Sequence, residues 1–414
     1  MDTSTGFMSD EAALRGRRRE LARLPLPERG RSAVVALLAL LCLGALAARA
    51  AADGTHGHEA PRMHFGDRVR VAPVCFSVTN PAGGQSTLYG LRYTDRGARV
   101  HASTPAIVLV HGIASSTENW DFSPTWSVAR ALAAAGYVVY SYDRLGYAKS
   151  SYFDHPGGGF TLTTAAHRAE LHQVVEEVQN GDYTMTAGSD CSGPQRPVGI
   201  GSPRVVIIGH SAGGWIVSGY PGTYHDVAAM IQADINGSGA QPPPGTPVPP
   251  GPKVSTTPDP NHPDYFEFFQ TRQDCENFNI YPPGAVGYVV QIACAPPFLD
   301  SPFGEVQDFP VKFAQNDAAI NMIGPSIPVL LTSGDNDGVD PPVVAQADYA
   351  YYQQHCGCDV TKLLLANTAH LFMVHQSLPV WVNDTVDWLG QKGLAPARRP
   401  PPVRCTGCVV PFVR

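Results

Sequence analysis

The chain has 414 residues, with 29 Lys+Arg against 36 Asp+Glu, a formal charge of −7 and 43% hydrophobic residues. That apolar share suffices for a packed core, while an acidic balance with only 16% charged residues excludes the basic surface that nucleic-acid binding requires. Collagen-like periodicity, a coiled coil and a polytopic membrane protein are excluded as well, and 41 Gly with 38 Pro imply long irregular segments beside the ordered core.

Residues 1–52 read as a leader. Arginines from Arg15 to Arg31 precede the apolar run Ala33–Ala48, which at 16 residues falls short of the ~20 needed to span a bilayer. The small-x-small pattern Ala48-Arg49-Ala50 follows it, as in a secretory signal peptide; an uncleaved N-terminal anchor is the rival reading. Either places the rest of the chain outside the cytoplasm, secreted or held at the membrane by that segment alone. Eight cysteines lie beyond the leader, an even count that fits disulfides in an exported chain. Cys275 and Cys294 share one segment and form the best candidate pair, and Cys405-Thr-Gly-Cys408 reads as a staple in the tail. Residues 53–72 form a polar, flexible lead-in whose His56, His58 and His64 make only a weak metal signal.

From Cys75 the pattern changes. VCFSV and STLYGLRYT alternate like paired edge strands around the turn residues Gly83-Gly84. Short apolar runs follow at Ile107–Val110, Tyr137–Tyr142, Val205–Ile208, Met230–Ile235, Val329–Thr332 and Lys362–Ala366. Helical patterns separate them, near Trp126–Ala135 and over Thr164–Gln179, where Leu171, Val174, Val175 and Val178 share one face. Such alternation calls for an α/β fold with a mostly parallel sheet covered by helices on both faces. Residues 238–325 break the alternation: the proline-rich GAQPPPGTPVPPGP opens them and an aromatic-rich stretch follows. A structureless loop of that length is implausible in a compact fold, so the insertion reads as a cap or lid with its own packing.

The decisive motif is Gly209-His210-Ser211-Ala212-Gly213, directly after the VVII strand and before a helix-compatible segment. A serine between strand and helix must make a sharp, strained turn, and glycines two residues away on either side remove the Cβ atoms that would clash there. The turn exposes the hydroxyl and points the free N–H groups of the following helix at the reacting centre. No HExxH spacing, Walker loop or GxGxxG before a helix accompanies it, so no metal or cofactor is expected. Asn236-Gly-Ser and Asn383-Asp-Thr fit the glycosylation sequon, which chance explains unless the host glycosylates.

Four separated motifs, in order, make the chain resemble an α/β-hydrolase of the serine esterase/lipase type from about Cys75 to Gly393. Val110-His111-Gly112-Ile113 resembles the family's HG loop, which implies that the N–H groups of Ile113 and Ala212 form the oxyanion hole, with His111 ordering the loop. Asp143-Arg144-Leu145-Gly146-Tyr147-Ala148-Lys149-Ser150 is similar to the D-x-x-G-x-G-x-S turn, with Ala148 in place of a glycine; Asp143 and Arg144 are expected to serve loop structure. Ser333-Gly334-Asp335-Asn336-Asp337 resembles the segment whose last aspartate orients the histidine, which favours Asp337 over Asp335 and Asp340. Ala369-His370-Leu371-Phe372 resembles the histidine segment, which favours His370 over His375 as the base.

The resemblance implies a core over 73–237 and 326–393, a cap or lid over 238–325 and a tail over 394–414. It implies a Ser211–Asp337–His370 triad that cleaves carboxylic esters through an acyl-enzyme. A serine at the elbow separates the chain from relatives with an aspartate nucleophile there, such as haloalkane dehalogenases and epoxide hydrolases. The expected partner is a small-molecule or lipid-like ester. An amidase, peptidase, lactonase or acyltransferase on the same site remains open, as does a non-catalytic binding protein with this fold.

Overall fold

Short, continuously apolar runs become the centre of one large sheet in the computed structural model of the chain. It describes residues 60–65, 68–97, 100–151, 153, 157–396 and 403–408, all within one unit, Ala60–Arg414. The leader expected over 1–52, together with His56 and His58, lies outside these residues. Among the described residues no helix is long and apolar enough to cross a membrane.

In chain order the strands of the first half are β1 (Arg62–His64), β2 (Val69–Thr79), β3 (Gln85–Asp95), β4 (Ala106–Val110), β5 (Val138–Tyr142), β6 (Thr184–Thr186), β7 (Gln195–Pro197), β8 (Val205–His210) and β9 (Ala229–Ala233). The insertion carries β10 (Thr257–Pro258), β11 (Tyr265–Glu267) and β12 (Asp300–Pro302), and β13 (Val329–Gly334), β14 (Val360–Leu365) and β15 (Arg404–Thr406) follow. Ten strands form the main sheet in the order β14-β13-β9-β8-β4-β5-β3-β2-β6-β7. The strands from β14 to β5 pair in parallel, and those from β5 to β7 pair antiparallel.

Strand side chains alternate between two cores, which is why the parallel strands read as unbroken apolar runs. Ile107, Leu109, Val206, Ile208 and Ile231 pack on the helices Val128–Ala134 and Leu378–Gln391. Val108, Val110, Val205, Ile207 and Met230 face Leu171, Val175 and Val178 of the helix Thr164–Asn180. The α/β architecture expected from sequence is therefore present, with the ends of the parallel strands and of the two expected helices moved by at most two residues.

Two expectations are corrected. β2 and β3 pair along their whole length but are not the edge, because β6 and β7 extend the sheet beyond β2. Those two strands, TMT and QRP, are too short and polar to leave a periodic signal. The lead-in is not flexible throughout: β1 pairs antiparallel with β15, Met63 and Phe65 are buried, and β2 already begins at Val69. The tail thus lies outside the main sheet but is tied to the start of the described chain. His64 bonds the Thr406 hydroxyl in this ribbon.

Within the insertion the proline-rich stretch 239–256 holds neither helix nor strand, and β10, β11 and β12 form a separate antiparallel sheet. Phe266, Phe268 and Phe269 are buried there around the bonded pair Cys275–Cys294. The other bonded pairs are Cys75–Cys191, Cys356–Cys358 and Cys405–Cys408, and all four Cα separations fall between 5.1 and 5.9 Å. Both sequon asparagines are engaged internally: Asn236 donates to the Ala240 carbonyl, and Asn383 exchanges hydrogen bonds with the Val403 backbone.

Candidate active site

Parallel pairing brings the C-terminal ends of β4, β8, β9 and β13 to one edge, where the loops of an open α/β sheet form their crevice. Ser211 stands at the end of β8 with φ 55° and ψ −125°, and the helix Ala212–Ser218 starts at the next residue. A non-glycine residue there carries backbone strain of about 1–3 kcal/mol, held only because its surroundings fix it. The flanking glycines are required by space. A Cβ on Gly209 would lie 2.2 Å from the Gly213 carbonyl oxygen, and one on Gly213 would lie 2.2 Å from that of Val110. Gly112, at the end of the neighbouring β4, approaches so closely that its Cβ would meet that of Ser211 at 2.9 Å.

The other two predicted residues arrive from loops after β13 and β14. His370 Nε2 lies 2.9 Å from Ser211 Oγ, and His370 Nδ1 lies 3.1 Å from Asp337 Oδ2. Asp337 is oriented by the N–H groups of Val339 and Asp340, which donate to its other oxygen at 2.7 and 3.1 Å. Serine, imidazole and carboxylate thus form one continuous chain. The competitors lie elsewhere in the network. Asp335 is exposed and accepts from the Thr368 N–H, and Asp340 is buried with its Oδ1 unpartnered among the described residues. His375 donates to the Leu371 carbonyl and accepts from the Tyr281 N–H, and burial pulls its pKa down to about 4. It ties the insertion to the histidine loop as a neutral imidazole.

Sequence reasoning assigned His210 no role. It is buried, with a pKa lowered to about 3 by burial and by His370, so it is neutral and donates Nε2–H to the His370 carbonyl at 2.8 Å. It therefore holds the backbone of the imidazole. The expected oxyanion donors follow Gly112 and Ser211: outside helices and strands, neither the Ile113 nor the Ala212 N–H reaches a backbone acceptor among the described residues.

Asp143 serves its loop as expected. It accepts from the Thr117 and Lys149 N–H groups, and burial lifts its pKa to about 6. Arg144 does more. It is fully buried, forms a bidentate pair with Glu305 of the insertion at 2.7 and 3.2 Å, and donates Nη2–H to the Gly112 carbonyl at 3.0 Å. Glu305 also accepts from the Tyr147 hydroxyl at 2.8 Å and lies 3.1 Å from His167. Nothing local marks Glu305 in sequence, because its partner is 161 positions away. A lone acid inside the apolar PFGEV segment is the one available hint.

Beside Ser211 lies a cavity of roughly 400 Å³. Trp215, Phe269, Phe278, Phe298 and Phe309 are among its walls, and no Asp, Glu, Lys or Arg side chain lines it among the described residues. Asn236 reaches the same cavity. Among the described residues no group of three or more His, Cys, Asp or Glu side chains could hold a metal ion.

No curated protein matches the chain. Among solved structures it is similar to a membrane phospholipase A that is a bacterial virulence factor, at 16% identity over 89% of this chain and 99% of that one, with a TM-score of 0.46. It is similar to a monoacylglycerol lipase of Paleococcus ferrophilus at 16% identity over 74% of this chain and 99% of that one, TM-score 0.47. A 2-hydroxy-6-oxo-6-phenylhexa-2,4-dienoate hydrolase from Rhodococcus sp. strain RHA1 is similar at 14% identity over 78% and 99% of the two chains, TM-score 0.47. The model of the alpha/beta hydrolase family matches residues 107–385, so the chain belongs to that family, a membership that supports a hydrolase.

Proposed function

We propose that the chain is an exported serine hydrolase that cleaves uncharged carboxylic esters. The observation that carries this reading is the continuous chain from Ser211 Oγ to His370 Nε2 at 2.9 Å and from His370 Nδ1 to Asp337 Oδ2 at 3.1 Å, beside an apolar cavity. His370 takes the serine proton as Ser211 Oγ attacks the ester carbonyl, and Asp337 holds the imidazole and stabilises its charge. The Ile113 and Ala212 N–H groups receive the negative oxygen of the tetrahedral intermediate, where one such donor contributes about 10²–10³ in rate. His370 then protonates the departing alcohol, leaving Ser211 acylated; it next draws a proton from the water that attacks the acyl carbon, and returns that proton to Ser211 Oγ as the acyl bond breaks and the acid leaves. Export is supported by the leader and by eight cysteines at bonding distance in four pairs. An amidase, lactonase or transacylase would use the same steps with another leaving group or acceptor; no observation favours one of these.

The test is turnover of a panel of short- and medium-chain esters and matched amides by wild type and three variants. Ser211→Ala abolishes ester hydrolysis with the fold intact, and His370→Ala is comparably severe. Asp337→Asn is milder, because triad members act as a unit and the carboxylate works through the histidine. Undiminished turnover by Ser211→Ala would overturn the mechanism, and preference for amides would change the substrate class.

A further inference from the structure

We infer that the insertion aims the oxyanion hole: Glu305, through Arg144, and Ser301 together fix the Gly112–Ile113–Ala114 backbone so that the Ile113 N–H points at the reacting oxygen. This rests on Ser211 being the nucleophile, and it makes Glu305, Arg144 and Ser301 positioning residues.

The argument starts at one peptide group. In a trans amide the C=O and the N–H of the next residue point in opposite directions, so whatever fixes the Gly112 carbonyl also aims the Ile113 N–H. That carbonyl accepts two donors, His111 Nδ1–H at 2.8 Å and Arg144 Nη2–H at 3.0 Å, which use both of its lone pairs. His111 is fixed in this tautomer because its Nε2 accepts the Arg144 N–H at 3.1 Å. Burial and the Arg144 charge hold it neutral. Arg144 therefore grips the loop twice, with its backbone and with its guanidinium.

The guanidinium is itself placed by Glu305, through the bidentate geometry that leaves a planar fork least freedom. A second grip comes from the same segment: Ser301 Oγ, fully buried on β12, accepts the Ala114 N–H at 2.9 Å. Ala114 has φ 51°, a left-handed conformation that alanine adopts only when its surroundings hold it there. The insertion thus holds the carbonyl before Ile113 and the N–H after it. A buried ion pair is weak evidence for stability, because desolvation offsets most of its attraction, so its link to the loop distinguishes this one.

The test uses the full chain with Glu305→Gln, which keeps the shape and removes the charge, and Ser301→Ala, which removes one acceptor. Each is assayed on p-nitrophenyl octanoate and against two octyl ketones. The trifluoromethyl ketone adds to the serine and places an oxyanion in the hole, whereas the methyl ketone binds without doing so. For Glu305→Gln the expected result is a fall in kcat of about tenfold with KM within about threefold, a fraction of the loss of a whole donor. The trifluoromethyl ketone weakens by the same factor and the methyl ketone is unchanged. Ser301→Ala shows the same split at smaller size and decides the matter alone if Glu305→Gln does not fold. Unchanged kcat and unchanged trifluoromethyl ketone binding overturn the inference, as does equal weakening of both ketones, which would mean general damage to the cavity. A wild type that does not take the trifluoromethyl ketone, or that keeps its turnover in Ser211→Ala, defeats the serine mechanism instead and takes this inference with it.

Discussion

Ser211 holds its strained backbone only because three glycines give it room, and the three are not equivalent. Gly209 and Gly213 are closed by backbone carbonyls, which cannot move without shifting β4 or the elbow itself. Gly112 is closed chiefly by Ser211 itself, at its Cβ at 2.9 Å and its Oγ at 3.3 Å, with the His210 carbonyl oxygen at 3.3 Å beside them. Gly213→Ala is therefore expected to cost stability, by about 1–3 kcal/mol or more, as overpacking against rigid atoms does. Gly112→Ala is expected to depress kcat by more than its loss of stability explains, because displacing a reacting group by a fraction of an ångström is felt mainly in the rate, up to about 10² for a full ångström. Thermal melts beside ester turnover read both, and a Gly112→Ala enzyme with wild-type kcat would contradict the assignment. The serine and its glycines were legible in sequence because elbow chemistry is local. His210 was not, since its role depends on a carbonyl 160 positions away.

At the scale of elements, one buried cluster joins the turn after β5, the helix Thr164–Asn180 and the insertion helix Gly304–Gln307. His167 lies 3.2 Å from Glu170 and 3.1 Å from Glu305. Burial and Arg144 oppose its charge, but the two carboxylates outweigh them and its pKa is raised. Burial also disfavours the Glu305 charge, yet Arg144 and His167 hold its pKa well below the carboxylate range. The signs differ. Stability from His167 is complete below the unfolded imidazole value of about 6.5 and is lost as pH rises through the higher folded one. Stability from Glu305 is present above its unfolded value and survives acidification until pH reaches the depressed one. The cluster is thus expected to loosen on the alkaline side first. Replacing His167 by Gln should flatten the decline in melting temperature between about pH 6 and 9, a range set by the ordinary imidazole value. An unaltered slope would mean that His167 is neutral in the fold. Sequence revealed the central parallel strands of the main sheet, since burial on both faces leaves uninterrupted apolar runs. It revealed neither the polar triplets β6 and β7 nor the partners of Arg144, because contacts between distant segments leave no period in the chain.

For the whole molecule, the proposed substrate choice follows from where the insertion meets the sheet edge. The cavity there is of ligand size, aromatic, and without a lining Asp, Glu, Lys or Arg among the described residues. A carboxylate carried into it would lose its hydration with no lining cation among the described residues to replace it, a cost of several kcal/mol. The p-nitrophenyl ester of octanoate is therefore expected to exceed that of a dicarboxylic half-acid of equal length by about 100-fold or more in kcat/KM. Comparable values for the two would show that a counter-charge reaches the cavity. The ribbon of β1 on β15 carries a different consequence. It turns the described polypeptide into something close to a ring, in which neither extremity can be pared back without undressing the other. Cutting before Arg404 would strip β1 of its partner strand, so an engineer looking for a place to attach cargo should choose a surface bend and leave that seam closed.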